Sequence, residues 1–231
     1  MLKILFQGDS ITDGNRYKEE SLRWDLNHQI GHSYAYIIAS SLLKDYPGRF
    51  KFINRAVAGS SENGLAERWQ KDTLDENPDV LSILLGINGF GVDVLDCDCE
   101  KVENLLQHFD LTYRSLLDLA IKNNPKLKIV IIEPFCLPAG GYKEKYKEFM
   151  QIFSRKQEIV KNIANDYHAI FIPTQKKLCE CVKESANKLL ANGCNIDPNE
   201  YWVWDGIHPT EATQGVLAEL WLTATKDILS I

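Results

Sequence analysis

A serine hydroxyl becomes a nucleophile only when a base stands ready to take its proton and an acid orients that base. One set of residues in the chain fits those needs. Near the start, an apolar run ends in Gly8-Asp9-Ser10, so a hydroxyl follows directly on a turn. Near the end, Trp204-Asp205-Gly206-Ile207-His208-Pro209 sets a carboxylate three residues before an imidazole, with a turn glycine between them. Of the five histidines, His208 is the one that combines a nearby acid, a glycine and a following proline. Pro209 biases His208 away from helical geometry, which predicts an extended loop with both side chains pointing the same way. Ser10 as nucleophile, His208 as general base and Asp205 as its orienting acid would carry out acyl transfer. D-x-x-H alone reads more simply as a capped turn over a packed histidine. Ser10 at the other end of the chain shifts that reading.

Acyl transfer also needs donors for a developing oxyanion, which backbone N–H groups at a glycine-bearing turn and a side-chain amide can supply. Gly59 in Val57-Ala58-Gly59-Ser60 and Asn88 in Gly86-Ile87-Asn88-Gly89 have the right chemistry. Singly, each reads equally well as a plain turn or loop cap.

Something must bring residues 10, 59, 88 and 205–208 together. Short apolar segments rich in β-branched residues recur at Leu2–Phe6, Phe50–Asn54, Val80–Leu85 and Lys128–Glu133, with a weaker fifth at Ala169–Ile172. Their near-continuous apolar character suits strands buried on both faces of a parallel sheet. Between them run helical patterns: Tyr34–Leu43, Val102–Ile121, a stripe from Tyr146 through Phe153 to Ile163, Gln175–Leu190, and Val216, Leu217, Leu220, Trp221 and Ala224 on one side of the last. End-to-end alternation of strand and helix predicts an α/β sandwich, one domain over 1–231. In such folds ligands bind outside the carboxyl ends of the strands, and that is where the four motifs fall.

Together Gly8-Asp9-Ser10-Ile11-Thr12-Asp13, Gly59, Gly86-Ile87-Asn88 and Asp205-Gly206-Ile207-His208-Pro209 resemble the motifs of the GDSL-type, or SGNH, hydrolase family, in the family's order and over almost the whole chain. The resemblance implies a flavodoxin-like three-layer α/β/α sandwich with a five-stranded parallel sheet, no metal or other cofactor, and a Ser10, Asp205, His208 triad. The implied oxyanion hole is the Ser10 and Gly59 N–H groups plus the Asn88 amide. The G-x-S-x-G elbow of α/β-hydrolases is absent. One departure stands out. The third motif usually reads Gly-x-Asn-Asp, whereas Gly89 follows Asn88 here, which predicts a looser loop at 88–91 with activity intact. Arg68-Trp69 with Asp72, Asn77-Pro78-Asp79, Glu133-Pro134-Phe135 and Trp204 resemble the branch containing acetyl xylan esterases and related carbohydrate acetylesterases.

Composition narrows the partners. With 26 basic against 32 acidic residues, the net charge is −6 and no basic stripe suits nucleic acid. No apolar run is long enough to span a bilayer. The apolar N-terminal segment is shorter than a signal-peptide core, so a cytoplasmic location is expected. Cys97/Cys99 and Cys179/Cys181 form C-x-C pairs rather than the C-x₂₋₄-C of zinc sites, and adjacent carboxylates disfavour thiolates; free thiols are expected.

The expected substrate is a small ester, an acetylated sugar foremost, with a homo-oligomer left open. Candidate pocket residues are Asp9, Arg16, Trp24, Phe135 and Trp204, with Tyr201 and Trp202 as further aromatic platforms. Asp9 reads more naturally as a structural hydrogen-bonding residue, and Arg16 as either a substrate contact or a loop anchor. The stretches 15–33, 90–100 and 137–142 are expected to wall the pocket, with Leu137–Gly141 the most flexible part. A lysophospholipase or thioesterase with the same triad, or a sugar-binding relic without chemistry, are the competing readings.

Overall fold

The computed structural model describes residues 1–19 and 29–231. Strands β1 (Leu2–Gly8), β2 (Phe50–Asn54), β3 (Val80–Leu84), β4 (Lys128–Ile132) and β5 (Ile170–Ile172) pair in the order β2-β1-β3-β4-β5. Every pairing is parallel. This is the flavodoxin-like order, in which the chain reverses direction across the sheet between β1 and β3. The crevice at that reversal lies between the loops that follow β1 and β3, the loops that carry Ser10 and Asn88.

The helices are α1 (Ser10–Asp13), α2 (Tyr34–Asp45), α3 (Glu62–Trp69), α4 (Cys99–Asn123), α5 (Tyr146–Asp166), α6 (Gln175–Ala191), α7 (Pro198–Trp202) and α8 (Glu211–Leu229). Side chains alternate along each strand, so the sheet feeds two cores. Ile4, Phe6, Val80, Leu84, Val130 and Ile132 meet Tyr34 and Ile38 of α2 and Leu217 and Trp221 of α8. Leu5, Leu81, Ile83, Ile129 and Ile131 meet Leu65 and Trp69 of α3, Phe109 to Ala120 of α4, and Val160 and Ile163 of α5. Helices on both faces make the three layers. A third cluster, with Ile87, Phe90, Leu106, Phe149 and Phe153, packs under the loop after β3.

Strand β2 falls where the sequence places it, and the other strands shift by one or two residues at their ends. Helix α3 was not legible. Among its eight residues only Leu65 and Trp69 are buried apolar side chains, too few for a periodic pattern, and the chain continues from it as a π-helical turn over Gln70–Leu74. Among the described residues no helix is long and apolar enough to cross a membrane, and the six cysteines are free thiols.

Candidate active site

Strand β1 ends by handing the chain to a single helical turn. Asp9 is the N-cap of α1, and its Oδ1 accepts from the Ile11 N–H at 3.1 Å. Ser10 thereby occupies the first helical position, half-buried at the carboxyl end of the sheet. Its hydroxyl lies 2.8 Å from Nε2 of His208. The other ring nitrogen, Nδ1, lies 2.6 Å from Oδ2 of Asp205. The remaining carboxylate oxygen, Oδ1, accepts from the Ile207 and His208 N–H groups at 3.0 and 2.7 Å, so the acid is held by the backbone of its own turn.

That turn is closed rather than freely extended. Val203 bridges Pro209, and the segment from Leu137 to Tyr142 packs against it. The Leu137 N–H donates to the Gly206 carbonyl at 2.9 Å, while Leu137 and Ala139 are buried. The segment expected to be the flexible wall is therefore a buttress for the acid. Gly140 has φ +51°, and a Cβ there would lie 2.6 Å from the Asp205 Cα, so the two segments are in backbone contact.

Electrostatics follow from these bonds. The hydrogen bond to Asp205 raises the His208 pKa above its ordinary value, against the opposing pull of partial burial. Burial would raise Asp205, but the bonds from His208 and the two backbone N–H groups outweigh it and leave the carboxyl below its ordinary range. An imidazole so placed is able to take a proton from Ser10 and would be stabilised once charged.

The loops that carry the other two expected oxyanion donors adjoin the Ser10 turn: the Val57 N–H donates to the Gly8 carbonyl at 3.2 Å, and Asn88 neighbours Asp9. Gly59 and Gly89 each sit third in a tight turn, closed by Ser60 N–H to Val57 carbonyl at 3.1 Å and by Phe90 N–H to Ile87 carbonyl at 3.2 Å. Their φ values of +80° and +69° meet the demand of a type II turn at that position. The need for positive φ gives a physical reason for glycine in place of the usual aspartate. The looser loop expected there is not what the packing shows, because Ile87 and Phe90 on either side are buried at 3% and 2% exposure. The Nδ2 of Asn88 is buried with no hydrogen-bond partner among the described residues, as a donor awaiting an acceptor would be.

Asp9 has no exposed surface. Burial, opposed in part by the Ile11 N–H, by His208 and by the neighbouring Asn88, leaves its carboxyl raised to about 6, while Oδ2 has no hydrogen-bond partner among the described residues. It stands behind Ser10 and does not line the pocket. Phe135 is also corrected: it is wholly buried in the core with Leu137, Val203 and Leu217, because the chain after β4 turns inward over the sheet. Arg16 is nine-tenths buried, its Nε donating to the Ala56 carbonyl at 2.9 Å, which makes it a loop anchor. It also borders a cavity of about 670 Å³ at the β2 edge, lined by Tyr17, Tyr36, Phe52, Asn54 and Glu76 and not by Ser10 or His208. Trp24 lies outside the described residues.

Trp204 is 60% exposed and stacks on the His208 ring, centroids 5.7 Å apart at 19°. Tyr201 and Trp202 stand edge to face, and Trp202 Nε1 donates to Ser185 Oγ at 2.8 Å. Of the described aromatic platforms, Trp204 is the one beside the histidine.

Sequence reasoning missed the work of Arg68, which it took only as a branch marker. From α3 its guanidinium donates to Gln7 Oε1 at 2.8 Å, the Gly8 carbonyl at 3.2 Å and Ser60 Oγ at 3.3 Å, and to the Arg55 carbonyl. It ties the end of β1 to the Gly59 turn. Nothing short of the β1–α3 packing signals this, since a single Arg on a polar helix usually faces solvent.

Residues 6–216 match the GDSL-like lipase/acylhydrolase family. The chain belongs to that family. It is a carboxylic ester hydrolase, and its similarity is to the acetylxylan esterase-like branch. An acetylxylan esterase from Geobacillus stearothermophilus is 28% identical over 95% of this chain and 92% of its own. A structure of a putative GDSL-like lipase from Parabacteroides merdae superposes with TM-score 0.81 at 32% identity, covering 97% of this chain and 95% of the other. A structure of the Geobacillus esterase Axe2 superposes with TM-score 0.67 at 26% identity, covering 96% and 93%. Catalytic mutants of Axe2 replace a serine, an aspartate and a histidine, the last two three positions apart.

Proposed function

We propose that residues 1–231 act as one domain that removes a short acyl group, acetyl foremost, from a small carbohydrate ester through an acyl-enzyme. The observation that carries this reading is the unbroken relay of hydroxyl, imidazole and carboxylate at 2.8 and 2.6 Å. His208 Nε2 takes the Ser10 proton as Oγ attacks the ester carbonyl. The oxyanion is held by the Ser10 and Gly59 N–H groups and Asn88 Nδ2. Collapse of the adduct breaks the ester C–O bond, and the proton on His208 passes to the departing sugar hydroxyl. Water then gives a proton to His208 and attacks the acyl-Ser10 carbonyl, which releases the acid and restores Ser10. The chemistry uses no group beyond these side chains and water.

Two observations support a sugar as the alcohol: the exposed indole of Trp204 stacked on His208, and the esterase relatives in the acetylxylan branch. An amphipathic ring face beside the histidine suits the apolar face of a pyranose. The first test is hydrolysis of p-nitrophenyl esters from acetate to octanoate by the wild type and Ser10→Ala. The expected result is activity confined to short chains and lost in the variant. A preference for octanoate would assign the site to longer acyl groups, and acetylated-sugar binding without acetate release would leave a relic.

A further inference from the structure

The most deeply buried cation near the site belongs to none of the steps above. Lys156, on α5, is 2% exposed. Its Nζ lies 4.2 Å from the ring centroid of Phe109 on α4 and 4.6 Å from that of Phe90, the last residue of the Ile87–Phe90 turn. A desolvated ammonium between two ring faces is attracted by both quadrupoles. The charged groups that face it are Glu62 at the start of α3 and Asp9 behind Ser10. Burial lowers the ammonium and these two carboxylates oppose it only in part, which leaves it at about 8 and charged at neutral pH.

A lysine in an apolar cluster that includes Phe149 and Phe153 is an expensive choice, since an apolar side chain of similar length would fill the same slot without desolvating a charge. What the charge adds is a directional grip on Phe90. That residue lies two positions after Asn88, whose Nδ2 has no partner and whose neighbour Asp9 offers the orphaned Oδ2. The Ile87–Phe90 turn thus sets the Asn88 amide beside the Asp9 carboxyl with no hydrogen bond among the described residues to fix its direction.

We infer that Lys156 is a positioning residue for the oxyanion turn: its ammonium, held between Phe109 and Phe90, fixes the Ile87–Phe90 turn so that the Asn88 amide stays aimed at the reacting carbonyl. This rests on the reading of Asn88 as an oxyanion donor. The lysine takes over the anchoring of the loop at the point where Gly89 replaces the customary aspartate.

The test is a cycle of Lys156→Met, Asn88→Ala and the double variant, each measured for kcat and KM on p-nitrophenyl acetate and for Tm. Lys156→Met is expected to keep or raise Tm, to lower kcat about tenfold, the scale of one desolvated cation–π contact expressed in a barrier, and to leave KM within about twofold. In the Asn88→Ala background the same change is expected to be silent. An Asn88→Ala variant with full kcat would remove the donor itself, and the inference with it. A normal loss in Asn88→Ala with an unchanged Lys156→Met, effects that multiply in the double variant, or kcat and Tm falling together would overturn the inference alone. Should Lys156→Met fail to fold, Phe90→Leu, which keeps an apolar contact but removes the ring face, is read by the same criteria.

Discussion

On the proposed mechanism, His208 sets the acid limb of the activity. The imidazole must be neutral to accept the Ser10 proton, so kcat/KM is expected to rise with pH through a midpoint that Asp205 moves above the ordinary histidine value. Asp205→Asn is expected to shift that midpoint to lower pH and to cost on the order of 10³–10⁴ in rate, because the favoured tautomer is lost; a pH–rate profile of the variant checks both. Asn88→Ala is expected to cost about 10²–10³ in kcat with Tm nearly unchanged, since Nδ2 bonds to nothing in the resting site. Asp9 offers a stability test of its burial. Its folded pKa, about 6, lies above the ordinary 3.8, so the native state holds a proton that the unfolded chain has released, and stability falls as pH rises across that window. Asp9→Asn keeps an acceptor for the Ile11 N–H and lacks this fall. Its stability relative to wild type is expected to climb between pH 4 and 6 by up to about 3 kcal/mol, measured by denaturant titration. At this scale the meeting of Ser10, His208 and Asp205 was legible, because nucleophile, base and acid are residue types with few alternatives. Phe135 was not, since whether an aromatic lines a pocket or a core depends on which way the chain turns after β4.

At the scale of elements, long periodic segments announced themselves and short ones did not. Helices α4, α5, α6 and α8 bury a regular stripe and were read to within a few residues at their ends. The turn α1 and the short α3 and α7 were invisible, because side-chain caps at α1 and α7 and tertiary contact at α3 stabilise them rather than a periodic apolar face. The Leu137–Tyr142 segment was misjudged for a related reason: Pro, Ala and two glycines read as flexible, whereas Gly140 is there for close approach. Gly140→Ala tests this. Its φ of +51° costs an L-residue about 1–2 kcal/mol, and the added methyl meets the backbone of Asp205. Lower Tm together with at least about a tenfold drop in kcat is expected, on the argument that small displacements of a catalytic group are costly.

For the whole molecule, the parallel sheet and its layers followed from apolar runs alternating with amphipathic ones. The strand order itself had no signature in the sequence and was available only through resemblance. Stability and chemistry occupy different parts of this architecture. Trp221 is fully buried between α8 and the sheet, its Nε1 donating to Ser82 Oγ at 3.0 Å and its ring 5.8 Å from that of Phe6. Trp221→Phe is expected to cost about 1–3 kcal/mol, by taking from Ser82 one of its partners, and to lower Tm by about 2–4 °C for each of those. Unchanged kcat below the new Tm is expected to accompany it.

The bond between Ser10 and His208 joins residues 198 positions apart. Closing a loop of that size precedes any reward from the contact it makes, so the hydroxyl and its base meet only after the sheet between them has formed. A nascent chain that has emerged through β5 carries Ser10, Gly59 and Asn88 but neither His208 nor Asp205. Ester hydrolysis is therefore a reporter of finished folding. During refolding, activity is expected to return no earlier than the slowest signal of the sheet, and a chain stalled halfway is expected to hydrolyse no ester.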